Sequence, residues 1–182
     1  MSGRYRVAVE TAMDTLTTHA FWDLYEAAFG PLRTRAAARQ VLTREEFDAE
    51  MVDPRVTKHV ARDADGTPVG VTTLTRDLST VPWISPEYFA ARFPEHAARD
   101  AIFYLGFTLV APGLQGSTVF GDMISSCLVE FTAARGICGY DVCAYNDEVL
   151  RMDTMIRRTM AARTTVRHHR LDAQTYYCVE VP

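Results

Sequence analysis

Polar and apolar positions alternate from Tyr5 to Val9, the period of a strand with one buried face. Behind Asp14 the period lengthens. Leu16, Ala20, Phe21, Leu24, Ala28 and Phe29 recur at helical spacing until Gly30-Pro31 stops the run. Thr43-Arg44-Glu45-Glu46 has the form of a capping box and predicts a second helix through Phe47 and Met51, ended at Asp53-Pro54. Val56 to Arg62 and Pro68 to Thr75 flank Asp65-Gly66, whose tolerance of positive φ predicts an antiparallel hairpin. The apolar, aromatic run from Ala101 to Val110 reads as a central strand buried on both faces and ended by Pro112.

A helix carrying Val119, Met123, Ile124, Cys127, Leu128 and Phe131 then runs to Gly136, and Ile137 to Tyr145 follows as a strand. Asn146 is placed to cap a further helix bearing Val149, Met152, Met155, Ile156 and Met160. Thr164 to Arg170 and Thr175 to Val181 complete the expected order as two strands. The prediction is one domain over 1–182, ordered β-α-α-β-β-β-α-β-α-β-β. The stretch 79–100 exceeds a simple hairpin connection and is set apart as an insertion.

Composition narrows the classes. The 182 residues are 48% hydrophobic and 23% charged, as in a globular domain long enough to bury a core without disulfides or a structural metal. Nineteen basic against 23 acidic residues give a formal charge of −4, and no basic tract is dense enough to track nucleic acid. No run approaches the roughly 20 apolar residues that span a bilayer, and Met1 to Arg6 opens no signal peptide, so a cytoplasmic protein without membrane contact is expected. Cys127, Cys138, Cys143 and Cys178 form no Cys-x-x-Cys pair and read as small hydrophobes. His168 and His169, adjacent on an expected strand, would point to opposite faces and hold no metal.

The most informative segment is the central strand ending in Leu109-Val110-Ala111-Pro112, followed by Gln115-Gly116-Ser117 and at once by a helix. Such a turn gathers unpaired backbone N–H groups and the positive end of a helix dipole, a combination suited to a pyrophosphate. Any strand-to-helix turn also uses glycine, and the residues alone leave that simpler role open.

At these residues the chain resembles the GCN5-related N-acetyltransferase superfamily, whose members share this element order. The family's central strand ends in Val-x-Pro, matched by Val110-Ala111-Pro112. Its pyrophosphate loop is matched by Gln115, Gly116, Ser117, Thr118, Val119 and Phe120, although Thr118 and Phe120 stand where the family has small residues. The resemblance implies a mixed, mostly antiparallel α/β sheet of about seven strands flanked by helices. It also implies an acyl-CoA-dependent N-acyltransferase that moves an acetyl or other acyl group from coenzyme A to a primary amine of a small molecule. Leu109, Val110 and the loop would hold the donor, a backbone amide near Leu109 would meet the oxyanion, and Asn146 would face the pantetheine or the leaving sulfur.

The family often places a tyrosine seven residues after that asparagine and a glutamate six residues before the valine. Here those positions hold Asp153 and Tyr104. Tyr145 and Tyr104 become the phenols expected to serve proton transfer, with Glu87, Glu95 and His96 as further candidates for the base. Trp83, Tyr88 and Phe89 could line an acceptor or acyl pocket, or pack as a satellite core under a long loop. A longer acyl group from an acyl carrier protein, a non-catalytic ligand-binding protein of the same fold and a homodimer all stay open.

Overall fold

The computed structural model describes residues 5–181. Its centre is one five-stranded sheet in the order β1-β2-β3-β4-β5, formed by β1 (Arg6–Glu10), β2 (Val56–Arg62), β3 (Pro68–Thr75), β4 (Ile102–Val110) and β5 (Ile137–Gly139). The first four pair antiparallel, and β5 joins β4 in parallel. Gly66 turns the β2–β3 hairpin at φ 85°, as Asp65-Gly66 predicted.

One face is covered by α1 (Thr15–Phe29) and α2 (Arg44–Val52). Asp14 accepts from the Thr17 N–H to start α1, and the capping box between Thr43 and Glu46 starts α2. Phe21, Tyr25, Phe47 and Met51 are buried against Val60, Val71 and Leu109, each large side chain stabilising the fold by about 1.5–3 kcal/mol. The opposite face is covered by α5 (Val119–Ala133), whose Met123, Ile124, Cys127 and Leu128 pack on Ala61, Leu74, Phe103 and Leu105. The 79–100 segment contributes α3 (Pro86–Arg92), capped by Ser85, and α4 (Pro94–Ala97). Beneath them Leu78, Val81, Phe89, Ile102 and Tyr104 form a small satellite core.

Three expectations fail: the strand count, the length of the strand expected over Ile137 to Tyr145, and the cap at Asn146. The sheet has five strands among the described residues rather than about seven, because Thr164–Arg170 and Thr175–Val181 form no strand. β5 runs for only three residues, and beyond it Tyr140 turns to donate to Asp153, which also meets His168. Tyr177, Val179 and Val181 thus meet no sheet face and are exposed; alternation alone does not make a strand where no partner edge is offered. Nor does Asn146 cap a helix. It lies inside a wide π-type turn, Tyr145–Val149, and α6 (Met152–Ala161) starts only after Arg151 adopts φ 56°.

Within β4 the face assignment reverses. Phe103 and Leu105 point toward α5, whereas Phe107 and Leu109 point toward α1 and α2. Alternation would keep all four on one side. The register against β3 shifts between Thr72 and Leu74, so a bulge at Gly106 and Phe107 supplies the extra residue.

Candidate functional site

Three features converge on β4. The first is an opening in the sheet. β5 pairs with β4 only at Ile102, Phe103 and Tyr104, while β4 continues to Val110. Among the described residues no strand covers that side of β4 from Leu105 onward, so alternate backbone groups there face outward without a ladder. Leu109 and Val110 lie on this free stretch, still paired to β3 through Val71 and Gly70.

The second feature is the turn into α5. Gly113 and Gly116 take φ of 84° and 85°, a conformation strained for any side chain-bearing residue. The Gln115 amide oxygen accepts from the Gly113 N–H at 2.8 Å, fixing the loop on itself. Ser117 Oγ accepts from Val119 N, and Thr118, the residue before α5, makes no side-chain cap. The first turn of α5 therefore points partly unsatisfied N–H groups out of the loop. Phe120 does not crowd this turn: its ring packs into the cluster of Leu74, Phe103 and Ile124 on the α5 face. That disposition and the exposure of Gly116 are compatible with a pyrophosphate lying across the loop.

The third feature lies at the bulge. Glu50 from α2, Thr73 from β3, Trp83 from the insertion, and Tyr104 and Gly106 from β4 line a narrow cleft. The Thr73 hydroxyl lies beside the Glu50 carboxyl and accepts from Phe107 N at 3.3 Å. Burial raises the Glu50 carboxyl above the usual carboxylate range, with Lys58 opposing that shift. Lys58 itself is wholly buried and spends its ammonium on the carbonyls of Thr11, Asp53 and Val56; burial lowers it to about 8. Asp141, two residues beyond β5, accepts from Tyr104 Oη at 2.6 Å and from Trp83 Nε1 at 3.1 Å.

Tyr104 is thus buried at the base of the opening, its phenol held protonated by desolvation and then by the Asp141 carboxylate, with its pKa far above the usual. Tyr145 is half-buried on the cluster that contains Phe107, and its hydroxyl accepts from Arg35 at 3.2 Å. The insertion aromatics divide. Trp83 enters the cleft, Phe89 is buried edge-on against Tyr104, and the Tyr88 hydroxyl donates to the Leu171 carbonyl away from the cleft. Glu87 and Glu95 lie exposed on the insertion, with His96 beside them. Asn146 sits in the π-type turn, partly buried.

Glu50, Thr73, Gly106 and Asp141 were not singled out from the sequence. Gly106 alone carried a signal, an isolated glycine inside an apolar strand, which marks a bulge or a close approach. A wider, open groove of about 570 Å³ lies at the start of β4, lined by Arg55, Arg76, Asp77 and Asp100 among others. It sits at the end of the strand remote from the α5 turn and touches neither the turn nor the opening. No cluster of His, Cys, Asp and Glu among the described residues could hold a metal, and no helix there is long and apolar enough to cross a membrane.

No family model and no curated protein sequence matches the chain. Solved structures do. An aminoglycoside acetyltransferase from an uncultured soil metagenomic sample, in complex with sisomicin, superposes at a TM-score of 0.55 with 14% identity over 97% of each chain. Aminoglycoside antibiotic 6'-N-acetyltransferase AAC(6')-Ih from Acinetobacter baumannii gives 0.53 and 8% over 98% of this chain and 99% of its own. AAC(6')-Iy, in complex with the bisubstrate analogue CoA-S-monomethyl-acetylneamine, gives 0.53 and 11% over 97% and 99%. The chain has the fold of these acetyltransferases, the GCN5-related fold, with five strands among the described residues in place of about seven.

Proposed function

We propose that the protein transfers an acetyl group from coenzyme A to a primary amine of a small molecule. The observation that carries this reading is the parting of β4 from β5 beyond Tyr104, on a strand that runs directly into the α5 turn. One end of the opening offers outward N–H groups and a helix N-terminus; the other offers carboxylates.

Backbone groups from Gln115 to Phe120 would hold the pyrophosphate, supported by the positive φ of Gly116 and the inward Phe120 ring. The free stretch at Leu109 and Val110 would present the N–H that receives the developing oxyanion. Asn146 would contact the pantetheine arm, and Tyr145 would give its phenolic proton to the departing thiolate. Asp141, fixed by Tyr104 and Trp83, would attract the positively charged acceptor to the mouth of the cleft. These neighbouring acidic groups and an acceptor that is an ammonium at neutral pH are complementary in charge. The neighbour bound to sisomicin and the one bound to a coenzyme A bisubstrate analogue support the same pairing of donor and acceptor.

The direct test follows free thiol release from acetyl-CoA in the presence of sisomicin, spermidine and simple primary amines, with the acetylated amine identified by mass. Acceptor-dependent thiol release is the expected result. Thiol release equal with and without every amine, or donor binding absent by calorimetry, overturns the reading.

A further inference from the structure

We propose that Glu50 takes the proton from the attacking amine, at the β4 bulge that Gly106 keeps open and that Thr73 joins to the strand. This rests on the acetyl-transfer reading and adds the base that the reading lacks. β4 carries no carboxylate, Tyr104 is a donor committed to Asp141, and Glu87 and Glu95 are exposed on the insertion.

Glu50 reaches the bulge from a different layer. Its Oε1 lies 3.5 Å from where a Cβ on Gly106 would be, and Thr73 Oγ1 lies only 2.4 Å from that point. Any side chain at position 106 would displace Thr73 and separate the carboxyl from the strand. The glycine thus keeps the Glu50 carboxyl close to the Thr73 hydroxyl, which accepts from the backbone N–H of Phe107. A bulge adds an unpaired residue at the point where the ladder stops, and here it brings Gly106 and Phe107 toward the carboxyl side of the sheet.

The charges that face Glu50 leave it basic yet unpaired. Lys58 from β2 is near enough to favour its ionised form, but the ammonium is bound to three carbonyls rather than to the carboxylate. Asp53, after α2, opposes ionisation. Tyr25 from α1 and Tyr104 from β4 are neutral phenols, each with its acidity suppressed by burial. Asp141 lies beyond Tyr104 and is joined to it. No salt bridge engages Glu50 among the described residues. A carboxylate raised by burial, without a cationic partner, is closer in proton affinity to an amine than a solvated one.

The step balances as follows. The acceptor enters as an ammonium and gives one proton to the Glu50 carboxylate. Its nitrogen lone pair forms a C–N bond to the thioester carbonyl carbon, whose π electrons move to oxygen. When the carbonyl re-forms, the C–S bond breaks and the thiolate takes up the second nitrogen proton by way of the Tyr145 phenol. The products are an amide and a free thiol, and the Glu50 proton passes to solvent.

The test compares the wild-type protein with Glu50→Gln, Glu50→Asp and Thr73→Val, using acetyl-CoA with sisomicin and following thiol release across a range of about pH 6 to 9.5. Glu50→Gln should lower kcat about a hundredfold near neutral pH and leave the affinity for acetyl-CoA unchanged, with the deficit shrinking as alkali supplies free amine. Glu50→Asp should recover part of the rate, and Thr73→Val should move the pH profile with a smaller loss. Equal kcat in Glu50→Gln at every pH, or a deficit that stays constant with pH while Glu50→Asp recovers nothing, overturns the assignment and leaves the acetyl-transfer reading intact. A wild-type protein that binds acetyl-CoA but acetylates no amine overturns the reading itself, and the assignment with it.

Discussion

The two ends of the β4 opening are built by different means. At the α5 end the site is continuous in sequence: Leu109 to Phe120 forms strand end, turn and helix start, and the proposed chemistry rests on backbone N–H groups. At the bulge the site is assembled from α2, β3, the insertion and β4, and the proposed chemistry rests on side chains. The contrast teaches that a backbone site tolerates changes of side chain so long as φ and the helix start are kept. A side-chain site fails when one spacing changes.

Gly106→Ala is the most severe way to break the bulge end alone. A methyl 2.4 Å from Thr73 Oγ1 must push β3 and β4 apart or turn the hydroxyl away from Glu50. We expect kcat for acetyl transfer to fall about a hundredfold, with a loss of stability of about 1–3 kcal/mol from overpacking. Acetyl-CoA affinity by calorimetry should be unchanged; a parallel loss of donor binding would show that the two ends are not separable.

Gly116→Val makes the complementary break. At φ 85° and with no neighbour near its Cβ, the substitution meets conformational strain rather than a clash, costing about 1–2 kcal/mol. Donor affinity should fall about tenfold or more as the turn reorganises, while the pH profile of kcat should keep its wild-type shape.

His59 sharpens the contrast through stability, because it anchors α5 and lies apart from the cleft. It is fully buried under α5, with Nδ1 2.8 Å from Ser126 Oγ and Nε2 3.2 Å from Glu130 Oε1. Burial lowers its pKa from 6.5 to about 4, so the folded protein favours the neutral ring. Its contribution is complete above the unfolded value of 6.5 and is lost as the pH falls toward 4. Urea unfolding should show about 2 kcal/mol less stability near pH 5 than near pH 7 from this group, and His59→Gln should flatten that dependence. An unchanged slope in the variant would assign the acid sensitivity elsewhere.

Tyr104→Phe is the mildest change. It removes one of the two bonds that hold Asp141, leaving the one from Trp83, while keeping the ring packed against Phe89. The KM for a cationic amine should rise about threefold to tenfold, the size of one hydrogen bond. An unchanged KM would detach Asp141 from acceptor binding.

Much of the fold was legible because it rests on local signals. The capping box at Thr43, the Asp65-Gly66 hairpin and the apolar run of β4 each encode their element within a few residues. The α5 turn was legible for the same reason. The C-terminal strands were misread because Tyr177, Val179 and Val181 alternate without an edge to pair with, and no local pattern reports that β5 stops after Gly139. Asn146 was misread because a good capping residue also fits a wide turn. Glu50 was invisible for a deeper reason. In Arg44–Val52 it is one of four acidic residues with the look of a solvated helix face, and only the bulge 56 positions later brings β4 against it.

The central claim, that the opening binds a coenzyme A thioester across the α5 turn, is tested most directly by titrating acetyl-CoA into the wild-type protein and into Gly116→Val by calorimetry. The account predicts saturable one-site binding to the wild type and an affinity about tenfold or more lower in the variant. No binding to the wild type, or equal affinity in both proteins, would contradict it.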